Sequence, residues 1–164
     1  MKKQKGFSLI ELLIVVAIIL IIAAIAIPNL LRSKMAANES SSVGSLRTIN
    51  TAEVTYNTAY PNQGYSNALA DLGGAAPCTV ATTTASCLID NFLASASGPA
   101  SGKSGYYFLY APGAAAGGTI NTYTVSAFPV TAGTTGQRGF FTDQTGVIRY
   151  AITGAATVAS SPIQ

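Results

Sequence analysis

The chain contains no histidine and no tryptophan, and charged residues fill only 9% of its 164 positions. Without an imidazole there is no Ser-His-Asp or Cys-His arrangement to assemble, so no catalytic residue is assigned and no enzyme is expected. Cys78 and Cys87 are the only thiols, too few on their own to make a zinc site, so no metal and no cofactor is expected. Soluble domains carry roughly a quarter charged residues; this chain is instead 49% hydrophobic. Its formal charge of +3 comes from Lys2, Lys3 and Lys5. Beyond Gly6, Arg32, Lys34, Arg47, Lys103, Arg138 and Arg149 are balanced by Glu11, Glu39, Glu53, Asp71, Asp90 and Asp143. Those cations are dispersed rather than clustered, so nucleic acid is not an expected partner.

What the chain has in quantity is apolar length. From Leu9 to Ile27 the only charged residue is Glu11. As a helix this run would be roughly 28 Å long, close to the hydrocarbon thickness of a bilayer at about 30 Å. The lysines before it predict a cytoplasmic N-terminus, with everything after Pro28 outside. Three readings compete: a permanent single-pass anchor, a signal peptide cut near Ala24-Ile25-Ala26, and a leader cut at Gly6-Phe7 that leaves the helix in place. Glu11 weighs against the first two, because neither needs a carboxylate near its membrane entry. At the centre of a span such a charge costs about 2.5–3.5 kcal/mol, and less near the interface. Glu11 lies four positions after Phe7, one helical turn.

Lys5-Gly6-Phe7-Ser8-Leu9-Ile10-Glu11-Leu12 resembles the processing and methylation signature of type IV prepilins and of the related type II secretion pseudopilins. The resemblance implies that a prepilin peptidase/methyltransferase cuts between Gly6 and Phe7 and methylates the new Phe7 amine. It matches the family's glutamate to Glu11 and its helix proline to Pro28. A weaker likeness to pilin-like heads covers Phe140 to Arg149. On this resemblance, Glu11 of one subunit would pair with the Phe7 amine of a neighbour, setting register more than affinity. Affinity would come from buried Ile and Leu side chains, roughly 1.5–3 kcal/mol each.

The fold class expected is α+β, with a long N-terminal helix packed against a small antiparallel β-sheet head. The divisions are residues 1–6 as leader, 7–28 as the membrane-spanning and filament-core half of the helix, and 29–164 as the head with the helix's second half. The helix is expected from Phe7 to about Tyr56, bent at Pro28, with Ala36, Val43, Leu46 and Ile49 or Asn50 on its apolar face. A short helix capped by Ser66 is expected to end at Leu72, and another to run from Ser86 to Leu93. Strands are expected at Tyr106–Ala111, Thr122–Phe128, Gly139–Thr142 and Val147–Ile152, the last two around the turn Asp143-Gln144-Thr145-Gly146. If the head is exported, Cys78 and Cys87 should be oxidised to a disulfide closing about ten residues, worth roughly 2.7 kcal/mol; two unpaired thiols are the alternative.

Weak signals are set aside. Gly98 stands one residue too close to Gly102-Lys103-Ser104 for a phosphate-binding loop. Asp143 in a turn more often bonds its own backbone than a calcium ion. The functional expectation is a structural subunit of a bacterial type IV pilus. Its partners would be copies of itself in a helical homopolymer, the peptidase, the inner-membrane assembly machinery, and lipid before assembly. It would be held in the inner membrane and then carried into an extracellular pilus. A type II secretion pseudopilin is the alternative, followed by a single-pass periplasmic binding module that never polymerises.

Overall fold

The computed structural model describes residues 7–75 and 77–163. The chain divides into two compact units, with the boundary between Lys34 and Met35. A single helix, α1 (Leu9–Ala59), contributes to both. Residues 1–6, expected as a leader, lie outside the described residues, and Gly6 with them.

In the first unit α1 is long and apolar enough to cross a membrane. Its Ile, Leu and Val side chains from Leu9 to Leu31 are exposed. Pro28 lies inside the helix. It withholds the amide that would have bonded the Ala24 carbonyl, yet the helical assignment runs through it without interruption.

The second unit holds the core. Here α1 buries Glu39, Ser42, Ser45, Leu46, Ile49, Ala52, Glu53 and Tyr56, one face at three- and four-residue spacing. Leu46 and Ile49 are where the apolar pattern puts them. Ala36 is exposed, and Val43 and Asn50 are half-buried. The buried face is therefore rotated toward polar residues, which an apolar count does not register. Of these, Glu39 and Glu53 find partners outside the helix, while the Ser42 hydroxyl has none among the described residues.

Seven strands follow: β1 (Tyr106–Pro112), β2 (Ala115–Ala116), β3 (Thr119–Ile120), β4 (Tyr123–Pro129), β5 (Gly139–Asp143), β6 (Arg149–Ala151) and β7 (Ser161–Pro162). The main sheet has the order β1-β4-β5-β6-β7 and is antiparallel throughout. Tyr106, Phe108, Tyr123, Val125 and Ala127 alternate inward and meet Leu46, Ile49, Tyr56, Leu72 and Leu93 in the core. This is the expected α+β architecture, a long helix against an antiparallel sheet, with one more strand than the pattern suggested. β7 escapes a pattern search because it is two residues long and contains a proline, which a sheet tolerates at its edge. β2 and β3 form a separate hairpin. Gly117 and Gly118 supply its turn with φ of 63° and 89°, the conformation a two-residue hairpin needs.

Two short helices differ from expectation. Leu69–Leu72 is a 3₁₀ turn preceded by Ala68, not a helix capped by Ser66. Ser66 is buried and turned toward Glu53 instead. The second, α2, spans only Asn91–Ala94. Asp90 starts it there, its carboxylate accepting from the Leu93 amide at 3.0 Å. The preceding residues Ser86 to Ile89 are not helical: Cys87 has a φ of 60°, and their amides bond the backbone of Asp71, Leu72 and Gly73. Val147 and Ile148 also fall outside β6, which begins at Arg149.

Candidate processing and assembly segment

α1 begins one residue after Ser8, so Ser8 occupies the capping position and Glu11 the third helical position. The Ser8 amide donates to Glu11 Oε2 at 3.0 Å. That is one arm of a capping box, in which a Glu three residues into the helix returns to the amide of the cap. The negative charge also lies at the positive end of the helix dipole. The Ser8-Leu9-Ile10-Glu11 spacing carries this signal in the sequence, and it is easily overlooked beside the apolar run. Phe7 precedes the helix and is 82% exposed. Phe7 and Glu11 thus share one end of α1, whereas Pro28 lies far along the same helix and Gly6 outside the described residues.

Cys78 and Cys87 are joined in a disulfide, with Cα atoms 6.2 Å apart. Gly74 packs against both sulfurs, so closely that a Cβ there would meet them at 2.8 and 2.9 Å. Inside the loop Thr82 and Ala85 pair with each other. The buried Tyr56 hydroxyl donates to the Thr83 carbonyl at 2.8 Å. The bridge and Tyr56 together tie this loop to the end of α1.

Two buried carboxylates on α1 went unassigned on sequence alone. Glu39 Oε1 accepts from the Gln137 and Arg138 amides at 2.9 and 3.2 Å, and Oε2 accepts from Arg138 Nε at 2.7 Å. Burial would push Glu39 upward, but these bonds and the guanidinium outweigh it and hold the carboxyl below the usual range. Glu53 is 0% exposed. It accepts from the Ser66 hydroxyl at 2.5 Å and from the Ser66 amide at 3.1 Å. Burial dominates there and raises its pKa, only partly offset by the two Ser66 bonds. Neither residue announces itself in sequence, because each partner is nearby only after folding.

Residues 1–27 match the family model described as a prokaryotic N-terminal methylation motif. That motif and the relatives that share it support kinship with the type IV pilins and the type II secretion pseudopilins. The chain is similar to the type IV wide pilus major component PilA4 of Thermus thermophilus, 60% identical over 40 residues, covering 24% of this chain and 30% of that protein. It is 44% identical over 54 residues to the type IV major pilin protein PilA of Myxococcus xanthus, 33% of this chain and 24% of that one. The type II secretion system core protein G of Vibrio cholerae is 38% identical over 64 residues, 37% of this chain and 44% of that protein. The chain therefore spans less than half the length of each of these relatives. No solved structure matches it.

Proposed function

We propose that this chain is a structural subunit of a bacterial type IV pilus, and not an enzyme. In this reading residues 1–6 are a leader removed between Gly6 and Phe7, and the Phe7 amine is methylated. Residues 7–28 span the inner membrane, N-terminus cytoplasmic, and later line the filament core. Residues 29–164 form the head, which includes the second half of α1. The prepilin peptidase and the inner-membrane assembly machinery are its processing partners, and further copies of the chain are its filament partners.

One observation carries the proposal. The methylation motif of residues 1–27 runs without a break into a helix whose apolar side chains are exposed. In lipid that surface needs no protein partner; in a filament it would be buried against other copies. Glu11 adds selectivity. In a waiting subunit it caps its own helix at Ser8, and in the filament it would turn to the neighbouring Phe7 amine. Pro28 marks a point already missing one helical hydrogen bond, where adjustment on assembly costs least.

The similarity to a type II secretion core protein supports a second reading, a pseudopilin with the same N-terminal chemistry. Deleting the chain separates the two. A pilus subunit predicts loss of surface fibres with type II secretion intact. Loss of secretion with fibres intact would favour the pseudopilin.

A further inference from the structure

Glu53 is a fully buried carboxylate that neither processing nor assembly uses. Ser66 approaches it twice, with its hydroxyl at 2.5 Å and its amide at 3.1 Å. Neither ion pair of the described residues involves it. The titratable groups that face it are acids: Tyr56 on α1 itself, Asp71 in the 3₁₀ turn, Tyr110 on β1 and Tyr123 on β4. Burial raises the Tyr110 and Tyr123 phenols, so both stay neutral where a carboxylate titrates. An ionised Glu53 would thus sit out of water, with Asp71 repelling it and the two Ser66 donors in its favour.

Ser66 ends a segment, residues 60–66, that is tied more closely to the β2–β3 hairpin than to the core. The Tyr65 amide donates to the Ile120 carbonyl at 2.9 Å, and the Ile120 amide donates to the Gln63 carbonyl at 2.8 Å. The Thr119 hydroxyl donates to the Asn62 carbonyl at 3.2 Å. Gly64, with a φ of 76°, passes so near that a Cβ there would collide with the Ile120 carbonyl oxygen. Segment and hairpin are therefore one piece. Toward α1 that piece has the Tyr60 amide on the Tyr56 carbonyl at 2.8 Å, the Tyr56 hydroxyl on Gln63 Oε1 at 2.9 Å, and Ser66 on Glu53. Toward the main sheet the Tyr110 hydroxyl donates to the Ser66 carbonyl at 2.9 Å, and the Tyr65 ring meets Tyr123 edge-on at 4.8 Å. Among the described residues, the buried core has no member in 60–66 or in the hairpin; Tyr60 and Tyr65 pack against it only half-buried. The piece can leave without opening the core.

We propose that Glu53 is a proton-operated latch: with its proton in place, residues 60–66 and the β2–β3 hairpin are held against α1, and on ionisation they swing out together while the main sheet stays folded. Opening lets water reach the carboxylate, which relieves the cost of burying its charge. The closed form binds the proton more tightly than the open form, so closure is favoured at low pH and lost as pH rises through the elevated value. Elements with few buried apolar contacts are the ones that open below the global unfolding limit. Every residue involved lies in the head, so the latch does not depend on the pilin reading.

Hydrogen exchange of the full chain in detergent micelles, read by mass spectrometry from pH 5 to pH 8 and corrected for the intrinsic rate, tests the latch. Protection of residues 60–66 and 115–120 should fall by about tenfold per pH unit above the midpoint, while β5 loses far less. Glu53→Gln has no proton to lose and should keep both segments protected at pH 8. Equal protection at pH 5 and pH 8, a loss no larger than that of β5, or the same loss in Glu53→Gln overturns the proposal. Should Glu53→Gln fail to fold, carbon-13 NMR of the wild-type chain decides. The Glu53 carboxyl resonance should titrate at the pH where residues 60–66 lose protection. A carboxyl that titrates at any other pH, or stays ionised throughout, overturns the latch.

Discussion

Glu11 is asked for two things by one carboxylate. It accepts the Ser8 amide at its own helix start, and the filament reading needs its charge for the Phe7 amine of a neighbour. A glutamine separates these demands, since its carbonyl still accepts the Ser8 bond but carries no charge. Glu11→Gln should therefore keep membrane insertion and helix start while sheared-fibre yield falls sharply. Glu11→Ala should fall as far, and Glu11→Lys further, because a second cation would face the amine. Wild-type fibre yield from Glu11→Gln would reduce the residue to a helix cap. Glu53 makes the reverse case, a buried carboxylate with no ion-pair partner among the described residues. Its raised pKa means the folded head holds that proton more tightly than the unfolded chain does. That stability is present below the ordinary carboxylate range and is lost as pH rises through the elevated value. Glu53→Gln should raise the melting temperature of the head at pH 7 and flatten its pH dependence, read by thermal denaturation across pH 4 to 8. A lower melting temperature at every pH would show that the ionised form is required.

The disulfide loop and α1 show which elements the residues reveal and which they do not. Converting both cysteines to serine should destabilise the head by about 2–3 kcal/mol, the entropy of a loop near ten residues. Chemical denaturation measures it, and an unchanged midpoint would mean that Tyr56 and the backbone pairs hold the loop unaided. The bridge was legible because the chain has only two cysteines and they lie close in sequence. The long helix was legible because it is a run of apolar residues followed by few breakers, and β1, β4 and β5 because aromatic and β-branched residues cluster there. The starts of the short helices were not. Ser66 looks like a cap and Asp90 looks like one more loop acid, yet the first is drawn to Glu53 and the second starts α2. At the candidate site the order Gly6, Phe7, Glu11 is plain, while the link from Glu11 to Ser8 needed the helix start to be fixed. Glu39 was invisible because its partners Gln137 and Arg138 arrive from the far end of the chain. Glu39→Ala should cost about 3 kcal/mol, since two backbone amides lose their acceptor. Urea denaturation of the head reads that loss.

Across the whole molecule, acid and base strain the head in different places. Glu39 is held below the usual carboxylate range, so its contribution is present above that range and lost as pH falls through its depressed value. Glu53 has the opposite sign. The head should therefore be most stable in mildly acidic solution, between the two transitions, and a monotonic rise in melting temperature from pH 4 to 8 would contradict that balance. Beyond Gly6 the side-chain charges sum to zero, so under the proposed function copies of the chain would meet without net side-chain repulsion. The central claim is that this chain, cut and methylated at Phe7, is the material of a fibre. Shearing fibres from the cell surface and measuring the N-terminus and mass of their bulk protein tests it directly. The account predicts a chain beginning at N-methylated Phe7 with its apolar helix intact. Fibres built of another protein, a chain beginning near Ile27, or one retaining Met1 to Gly6 would contradict it.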